Sequence, residues 1–228
     1  MKPLQIAIDG PVASGKSSAA AKLAKRLDCA FLDTGALYRA VAWLALERGL
    51  GADDEAGVVE LLEQEAPVIR FDESNKRPVI AAGGRELNRE LFSPDIARAV
   101  SPIAAMPRVR ARLVPIQRDF ADDRDVVMAG RDIGTVILPD ALAKFYLTAS
   151  LNARVERRFH QLSARGVAVD RATLRNQIKQ RDARDSGREA SPLAKARDAV
   201  EIDTTKLTLD QVVDALEQRV RALAAARA

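Results

Sequence analysis

Apolar and polar positions alternate along Gln5-Ile6-Ala7-Ile8-Asp9, a period of two that predicts a strand, and change to helical spacing from Lys16 through Leu27. The loop between them begins and ends in glycine. Cys29-Ala30-Phe31-Leu32 reads as a second, short buried strand, and helical spacing then runs from Ala36 to Leu62, interrupted at Gly49-Leu50-Gly51. Over 67–90 the character changes. Val68-Ile69-Arg70-Phe71 and Pro78-Val79-Ile80-Ala81 are two strands joined by a polar turn from Asp72 to Arg77, and Gly83-Gly84 leads into a third short segment. This is a small antiparallel β insertion. Helical pattern resumes near Pro94, and Val126-Val127-Met128-Ala129 is a continuous apolar run, the form of a central parallel strand covered on both faces. Lys144 to Thr148 and Val200 to Asp203 are the last strands. Leu209 to Ala228 closes the chain as an amphipathic helix with Val212, Val213, Leu216, Val220 and Leu223 on one side. Strands alternating with helices imply an α/β, parallel, doubly wound sheet.

The chain has 228 residues, enough for one sizeable core with inserted lobes. Hydrophobic residues at 47% and charged ones at 30% are ordinary for a globular protein, and no apolar run is long enough to span a bilayer. Membrane insertion is excluded at this level. Met1-Lys2-Pro3 leads straight into a strand without signal-peptide features, and the lone Cys29 allows no disulfide framework, so a cytoplasmic location is expected. Beside Ala30, Phe31 and Leu32, Cys29 reads as a small buried hydrophobe; Tyr38 and Trp43, with apolar neighbours at helical spacing, read as core. The net charge is only +4, but the cations are mostly arginine and concentrate in the second half, which points to anionic ligands.

Candidate chemistry begins in the first loop. Gly10-Pro11-Val12-Ala13-Ser14-Gly15-Lys16-Ser17-Ser18 has the spacing G-x-x-x-x-G-K-[ST] between a strand and a helix. The glycines let the backbone wrap a phosphate, so that successive N–H groups and the positive helix end point at the anion. Lys16 would reach the β- and γ-phosphates of ATP, and the Ser17 hydroxyl would ligate Mg²⁺. At the end of the second strand, Asp33-Thr34-Gly35-Ala36-Leu37-Tyr38-Arg39 should lie beside this loop, because ligands of open α/β sheets sit at the carboxyl ends of strands. Thr34 and Arg39 would face a second substrate. Asp33 has two readings: a holder of water on the metal, or the N-cap of the following helix. Gly130-Arg131-Asp132-Ile133-Gly134-Thr135 ends the central strand, with Arg131 suited to phosphate and Asp132 to an amine or hydroxyl. An internal ion pair is the competing reading. Arg108, Arg110 and Arg112 cannot share one helical face, so at least one serves only solvent.

From Arg154 to Arg188 arginines are interleaved with Asp170, Asp182 and Asp185. A solvated helical hairpin laced with ion pairs and a nucleic-acid patch are two readings; the second is weakened by scarce aromatics and by the acids. The stronger reading is a mobile lid whose arginines stabilise charge on a transferring phosphoryl group and exclude water. Gly166 and Gly187 are candidate flexible points at its ends. His160 receives no role.

Taken together, Gly10 to Ser17, Asp33 to Arg39, Gly130 to Thr135, the run from Arg181-Asp182 through Asp185-Ser186, Arg188-Glu189 and Ser191-Pro192-Leu193, and Ile202-Asp203-Thr204-Thr205 closely resemble the bacterial cytidylate kinase family. The resemblance runs from end to end. It implies a P-loop NTPase-type parallel sheet flanked by helices, with an inserted monophosphate-binding domain carrying the small antiparallel β element, and an Arg-rich helical lid. Expected boundaries are core 1–38, insertion 39–125, core 126–153, lid 154–195 and core 196–228. The implied reaction is phosphoryl transfer from ATP to CMP or dCMP, with Mg²⁺; the alternatives are a kinase of another small acceptor such as UMP, AMP or shikimate on the same fold, or a non-catalytic nucleotide-binding switch. A monomer that binds neither nucleic acid nor membrane is expected. The same resemblance assigns Thr34, Arg39, Ser101, Arg110, Arg131, Asp132, Arg181, Asp185 and Arg188 to the monophosphate, with Ser101, Arg110 and Asp185 reading base and sugar. Arg39, Arg131 and Arg188 would bind or bridge phosphate. Lys16 and the arginines Arg131, Arg157 and Arg181 would neutralise the transferring group, and Ser17 and Asp33 would hold the metal. Ala129 departs from the family pattern, where an aspartate is expected before Gly-Arg-Asp, which leaves Asp33 to organise the metal's water.

Overall fold

The computed structural model describes residues 3–74 and 77–227; Met1, Lys2, the turn residues Asn75 and Lys76, and the final Ala228 of the expected last helix lie outside them. In chain order the elements are β1 (Gln5–Asp9), α1 (Lys16–Leu27), β2 (Ala30–Asp33), α2 (Thr34–Glu47), α3 (Glu55–Glu65), β3 (Val68–Asp72), β4 (Arg77–Ala82), β5 (Arg85–Leu87), α4 (Pro94–Ile103), α5 (Pro107–Ala121), β6 (Val126–Gly130), β7 (Ala143–Thr148), α6 (Leu151–Ser163), α7 (Arg171–Gly187), β8 (Val200–Asp203) and α8 (Leu209–Arg227). A short 3-10 turn, Arg89–Phe92, precedes α4, and a π-helical turn, Ile133–Ile137, follows β6.

The main sheet has strand order β2-β6-β1-β7-β8 and is parallel throughout, so β1, β6 and β2 deliver Asp9, Gly130 and Asp33 to one edge of the sheet. Its two faces are covered separately. Ile6, Ile8, Val127, Ala129 and Phe145 pack under α1 and α8, while Ala7, Leu32, Val126 and Met128 pack against Phe120 of α5 and Ile133 and Ile137 of the π turn. This two-sided burial explains the unbroken apolar run at 126–129. Burying each Val, Leu, Ile, Phe or Met side chain among them contributes about 1.5–3 kcal/mol. On α8 the expected face is the buried one: Val212, Val213, Leu216 and Val220 enter the core and Leu223 packs partly against it.

The segment between β2 and β6 forms a lobe with its own core, in which Leu37, Val41, Trp43, Val58, Ile80, Ile103 and Val109 meet. The expected β insertion is present as the antiparallel sheet β3-β4-β5, with Val68 opposite Ala81 and Ile80 opposite Leu87. Tyr38 and Trp43 are core, as their spacing predicts. The helix α2 runs unbroken across positions 38 and 39, the expected core–insertion boundary.

Two sequence expectations are corrected here. Cys29 is not the first residue of β2: its N–H closes α1 by bonding the Ala24 carbonyl at 2.9 Å, after Asp28 turns left-handed at φ 54°, and pairing with β6 starts only at Ala30. Gly166 does not end the charged hairpin; it sits at φ +71° in the turn between α6 and α7, while Gly187 ends α7. Among the described residues no helix is long and apolar enough to cross a membrane.

Candidate active site

The donor half is built from β1, the loop 10–15 and the start of α1. Gly10 is required by close approach: a Cβ there would lie 2.1 Å from the Leu147 carbonyl oxygen of β7. Gly15 takes φ 92° at the N-cap of α1, and no side chain caps that helix, which leaves its first N–H groups for an anion. Lys16 is buried, and its ammonium donates to the Pro11 carbonyl at 3.1 Å. Burial, followed by the nearby Arg131, pushes this lysine well below its ordinary pKa. Phosphate oxygens are what would restore it. Pro11, Val12, Ala13 and Ser14 line the turn, Ala13 in the left-handed region at φ 59°.

The loop is braced from behind by α6 and the segment after β8. Arg157 donates to the Ser14 carbonyl at 3.3 Å and to the Thr204 hydroxyl at 2.8 Å, and also bonds the Thr204 carbonyl. Its guanidinium is thus committed to the loop's own scaffold. Arg154 donates to the Val12 carbonyl at 3.3 Å and to Asp182 of α7 at 2.6 Å, tying the α6–α7 hairpin to the loop. Thr204 is buried, with its hydroxyl 2.9 Å from the Ser14 carbonyl. Ser14 itself is fully buried, and its hydroxyl lies 3.1 Å from where a Cβ of residue 10 would stand.

Asp33 satisfies the capping reading: its carboxylate accepts from Gly35 N–H at 3.0 Å at the head of α2 and pairs with Arg39 at 3.4 Å. It also receives the hydroxyl of Ser17. Burial would raise this carboxyl, but Arg39, Lys16 and the Ser17 hydroxyl outweigh it, so it stays below the ordinary carboxylate range and remains charged. Ser17 and Asp33 are therefore adjacent, as two ligands of one hydrated cation must be. Among the described residues there is no group of three or more His, Cys, Asp or Glu able to hold a metal. That donor set suits Mg²⁺, which keeps waters and takes phosphate oxygens, better than an ion needing an all-protein cage. Ala129 is fully buried in β6, in register with Asp33 of β2, and its carbonyl accepts the Thr34 hydroxyl at 3.2 Å.

A second cluster gathers distant segments. Arg131 and Asp132 do not pair with each other. Arg131 donates to Asp185 of α7 at 2.7 Å, whereas Asp132 pairs with Arg110 of α5 and lies 3.7 Å from Arg188. Asp132, Arg110 and Asp185 are all buried. Burial works to raise Asp185, yet Arg131, Arg181 and Arg188 hold it below the ordinary range. Burial, then Arg131, brings Arg181 down to about 10. Buried nitrogens Arg39 Nε, Arg110 Nε, Arg181 Nε and Arg188 Nη2 have no hydrogen-bond partner within the protein. Buried donors are ordinarily satisfied, so these fit a polyanionic ligand. Ser101 is buried in α4, and its hydroxyl accepts from Arg184 at 3.0 Å. Of the arginine triplet, Arg110 is buried while Arg108 and Arg112 face outward, as helical geometry requires.

Further residues matter that the sequence did not single out. Arg154 and Thr204 brace the loop, Arg184 holds Ser101, and Asp9 accepts backbone N–H groups of Ile133 and Gly134, each at 2.8 Å. Phe92, about half exposed, lies between the guanidinium of Arg39, 5.1 Å from the ring centre, and that of Arg165, at 4.9 Å. His160 is exposed beside Glu156 and Phe159.

A parallel sheet with a phosphate loop at its first strand, facing a lobe and a hairpin that converge arginines on it, defines a P-loop fold with a site for a polyanion. The cytidylate kinase family model matches residues 6–222, and the chain belongs to that family. It is 42% identical over 217 residues to cytidylate kinase of Streptococcus pneumoniae (strain 70585), covering 95% of this chain and 97% of that protein. It is 45% identical over 223 residues to a bifunctional pantoate ligase/cytidylate kinase of Synechococcus sp. (strain JA-2-3B'a(2-13)), where it spans 97% of its own length but 41% of the relative's. Among solved structures, an uncharacterised protein of Eubacterium ventriosum ATCC 27560 superposes with a TM-score of 0.52 at 14% identity, over 96% of this chain and 99% of that one. That likeness concerns the fold alone.

Proposed function

We propose that the protein transfers the γ-phosphoryl group of ATP to CMP, and to dCMP, giving ADP and CDP or dCDP. The observation that carries this reading is the set of buried, under-satisfied guanidiniums of Arg39, Arg110, Arg181 and Arg188 in a chain of this family. The acceptor is already an anion, so no general base is needed, and catalysis is in-line positioning plus charge neutralisation. In this reading Lys16 and the loop N–H groups hold the donor, while Arg39, Arg131 and Arg188 hold the acceptor phosphate. Ser101, Arg110 and Asp185 read base and sugar, and Asp132 accepts from an amine. Mg²⁺, held by Ser17 and Asp33, would shield the phosphate charge. Arg181 joins Arg131 and Lys16 at the transferring group. The braced position of Arg157 suits it to fixing the loop, and through the loop the donor. The segments 39–125 and 154–195 act as acceptor lobe and lid on the core, in a monomeric cytoplasmic enzyme: donor and acceptor groups all come from one chain, and its single cysteine is buried.

The test is ADP release, coupled to a reporter, at fixed ATP with CMP, dCMP, UMP and AMP. CMP or dCMP giving the highest kcat/KM is the expected result. If CMP gave no more signal than buffer, the reading would fail, and a signal with another monophosphate would reassign the acceptor.

A further inference from the structure

We infer that Asp9 is a positioning residue for the acceptor: it caps the turn after Asp132 and so leaves Asp132 free to serve the substrate. The inference rests on the CMP kinase reading of the site. The π turn Ile133–Ile137 opens, like any helical segment, with N–H groups that lack internal partners. The residue at its N-cap is Asp132, an aspartate in the place where an aspartate ordinarily turns back to accept those groups. Here Asp132 does not do so; its side chain makes no capping bond. Both of its oxygens face guanidiniums instead, Oδ2 toward Arg110 and Oδ1 toward Arg188.

The N–H groups are satisfied from 124 and 125 residues away: Asp9 Oδ1 accepts from Ile133 and Oδ2 from Gly134, each at 2.8 Å. Asp9 is 4% exposed and stands in register with Gly130 across β1 and β6. One carboxylate thus joins the last residue before the phosphate loop to the residues that follow Arg131-Asp132, fixing the acceptor's readers relative to the donor loop. The arrangement is costly to keep. Burial, despite the two N–H bonds and with Asp132 adding to it against Lys16, raises this carboxyl to about 6.

Asp9→Asn keeps the shape but can offer only one acceptor oxygen, so one N–H then faces an amide NH₂ and Asp132 becomes the nearer cap. Titration calorimetry would measure CMP and Mg·ATP binding separately. Asp9→Asn is expected to weaken CMP binding at least about tenfold, as sub-ångström misplacement of a binding group does, and to leave ATP binding within about twofold. Asp132→Asn is expected to weaken CMP as well, and the double variant to be no weaker than the worse single one, because the two residues act through one group. Unchanged CMP affinity in Asp9→Asn, parallel loss of both ligands, or additive losses would each overturn the inference. Wild-type binding of CMP in the same experiment separates this failure from failure of the CMP reading. Hydrogen exchange in the wild type gives a check independent of variant folding. The Ile133 and Gly134 amides should be protected without nucleotide, and rapid exchange at both would refute the cap.

Discussion

Lys16 is held in a charge environment that only a polyanion relieves. Burial and then Arg131 and Arg181 favour its neutral form, against Asp33 and Asp185. A triphosphate reverses that balance, so the free lysine's pKa lies below the bound one and ATP binding draws in a proton between them. Calorimetry in two buffers of different ionisation enthalpy, stepped through pH values above the phosphate titration near about 6, should register this uptake in the interval between the free and bound values, and Lys16→Met should abolish it. Lys16→Ala should lower kcat by orders of magnitude with unchanged circular dichroism; undiminished turnover would remove this lysine from the mechanism. At Asp132 the issue is stability as well as binding. Asp132→Ala leaves Arg110 and Arg188 buried without their counter-charge, a loss of about 3–5 kcal/mol that a denaturant midpoint would report.

At the scale of elements, the hairpin α6–α7 is the weakest-cored part. Its apolar packing amounts to Val155, Leu174 and Ile178, with flanking contributions such as Phe159 and Val12 of the phosphate loop. Its remaining ties are polar: Arg154 to Asp182, Arg131 to Asp185, Arg184 to Ser101, and Arg165 against Phe92. Leu174→Ala should therefore raise amide exchange through α6 and α7 well before it lowers protection in β1 or β6, whereas uniform loss across the chain would mean that the hairpin is no separate unit. Phe92→Ala removes the ring shared by Arg39 and Arg165, and a raised KM for the monophosphate with KM for ATP unchanged is the expected split. The same elements mark how far the sequence could be read. The strands, the phosphate loop and the buried face of α8 were legible because periodicity and glycine spacing are local signals. The start of β2 shifted by one residue because a helix C-cap claimed Cys29. The π turn and Asp9 were invisible because the carboxylate that satisfies that turn lies more than a hundred positions away in sequence. Membership of the arginine set was legible through motifs. Partners were not: which carboxylate meets Arg131 or Arg110 is decided by how α5 and α7 dock, and no spacing encodes it.

For the whole molecule, a modest net charge of +4 conceals a strongly uneven distribution. Burial first, and after it repulsion from Arg131, lowers both Lys16 and Arg181, and Arg39 adds to the burden on Arg181. Inorganic phosphate should accordingly raise the melting temperature more than chloride at equal ionic strength. An anion at one hundred times its Kd adds about 2.7 kcal/mol. Equal effects of the two salts would argue against a focused anion site. The sheet order carries a different consequence, for how such a chain diversifies. The lobe leaves the core after Asp33, at the carboxyl end of β2, and returns at Val126, at the amino end of β6; the two strands are parallel, hydrogen-bonded neighbours, with Ala30 beside Val126 and Asp33 beside Ala129. Its entrance and exit therefore lie at opposite ends of adjacent strands, about 10 Å apart along them. A segment held at both ends by neighbouring strands of one sheet can lengthen, shorten or be exchanged with little strain on the phosphate loop. Evolution, or a protein engineer, could thus alter acceptor choice by grafting one contiguous stretch and re-matching a few arginines from the lid.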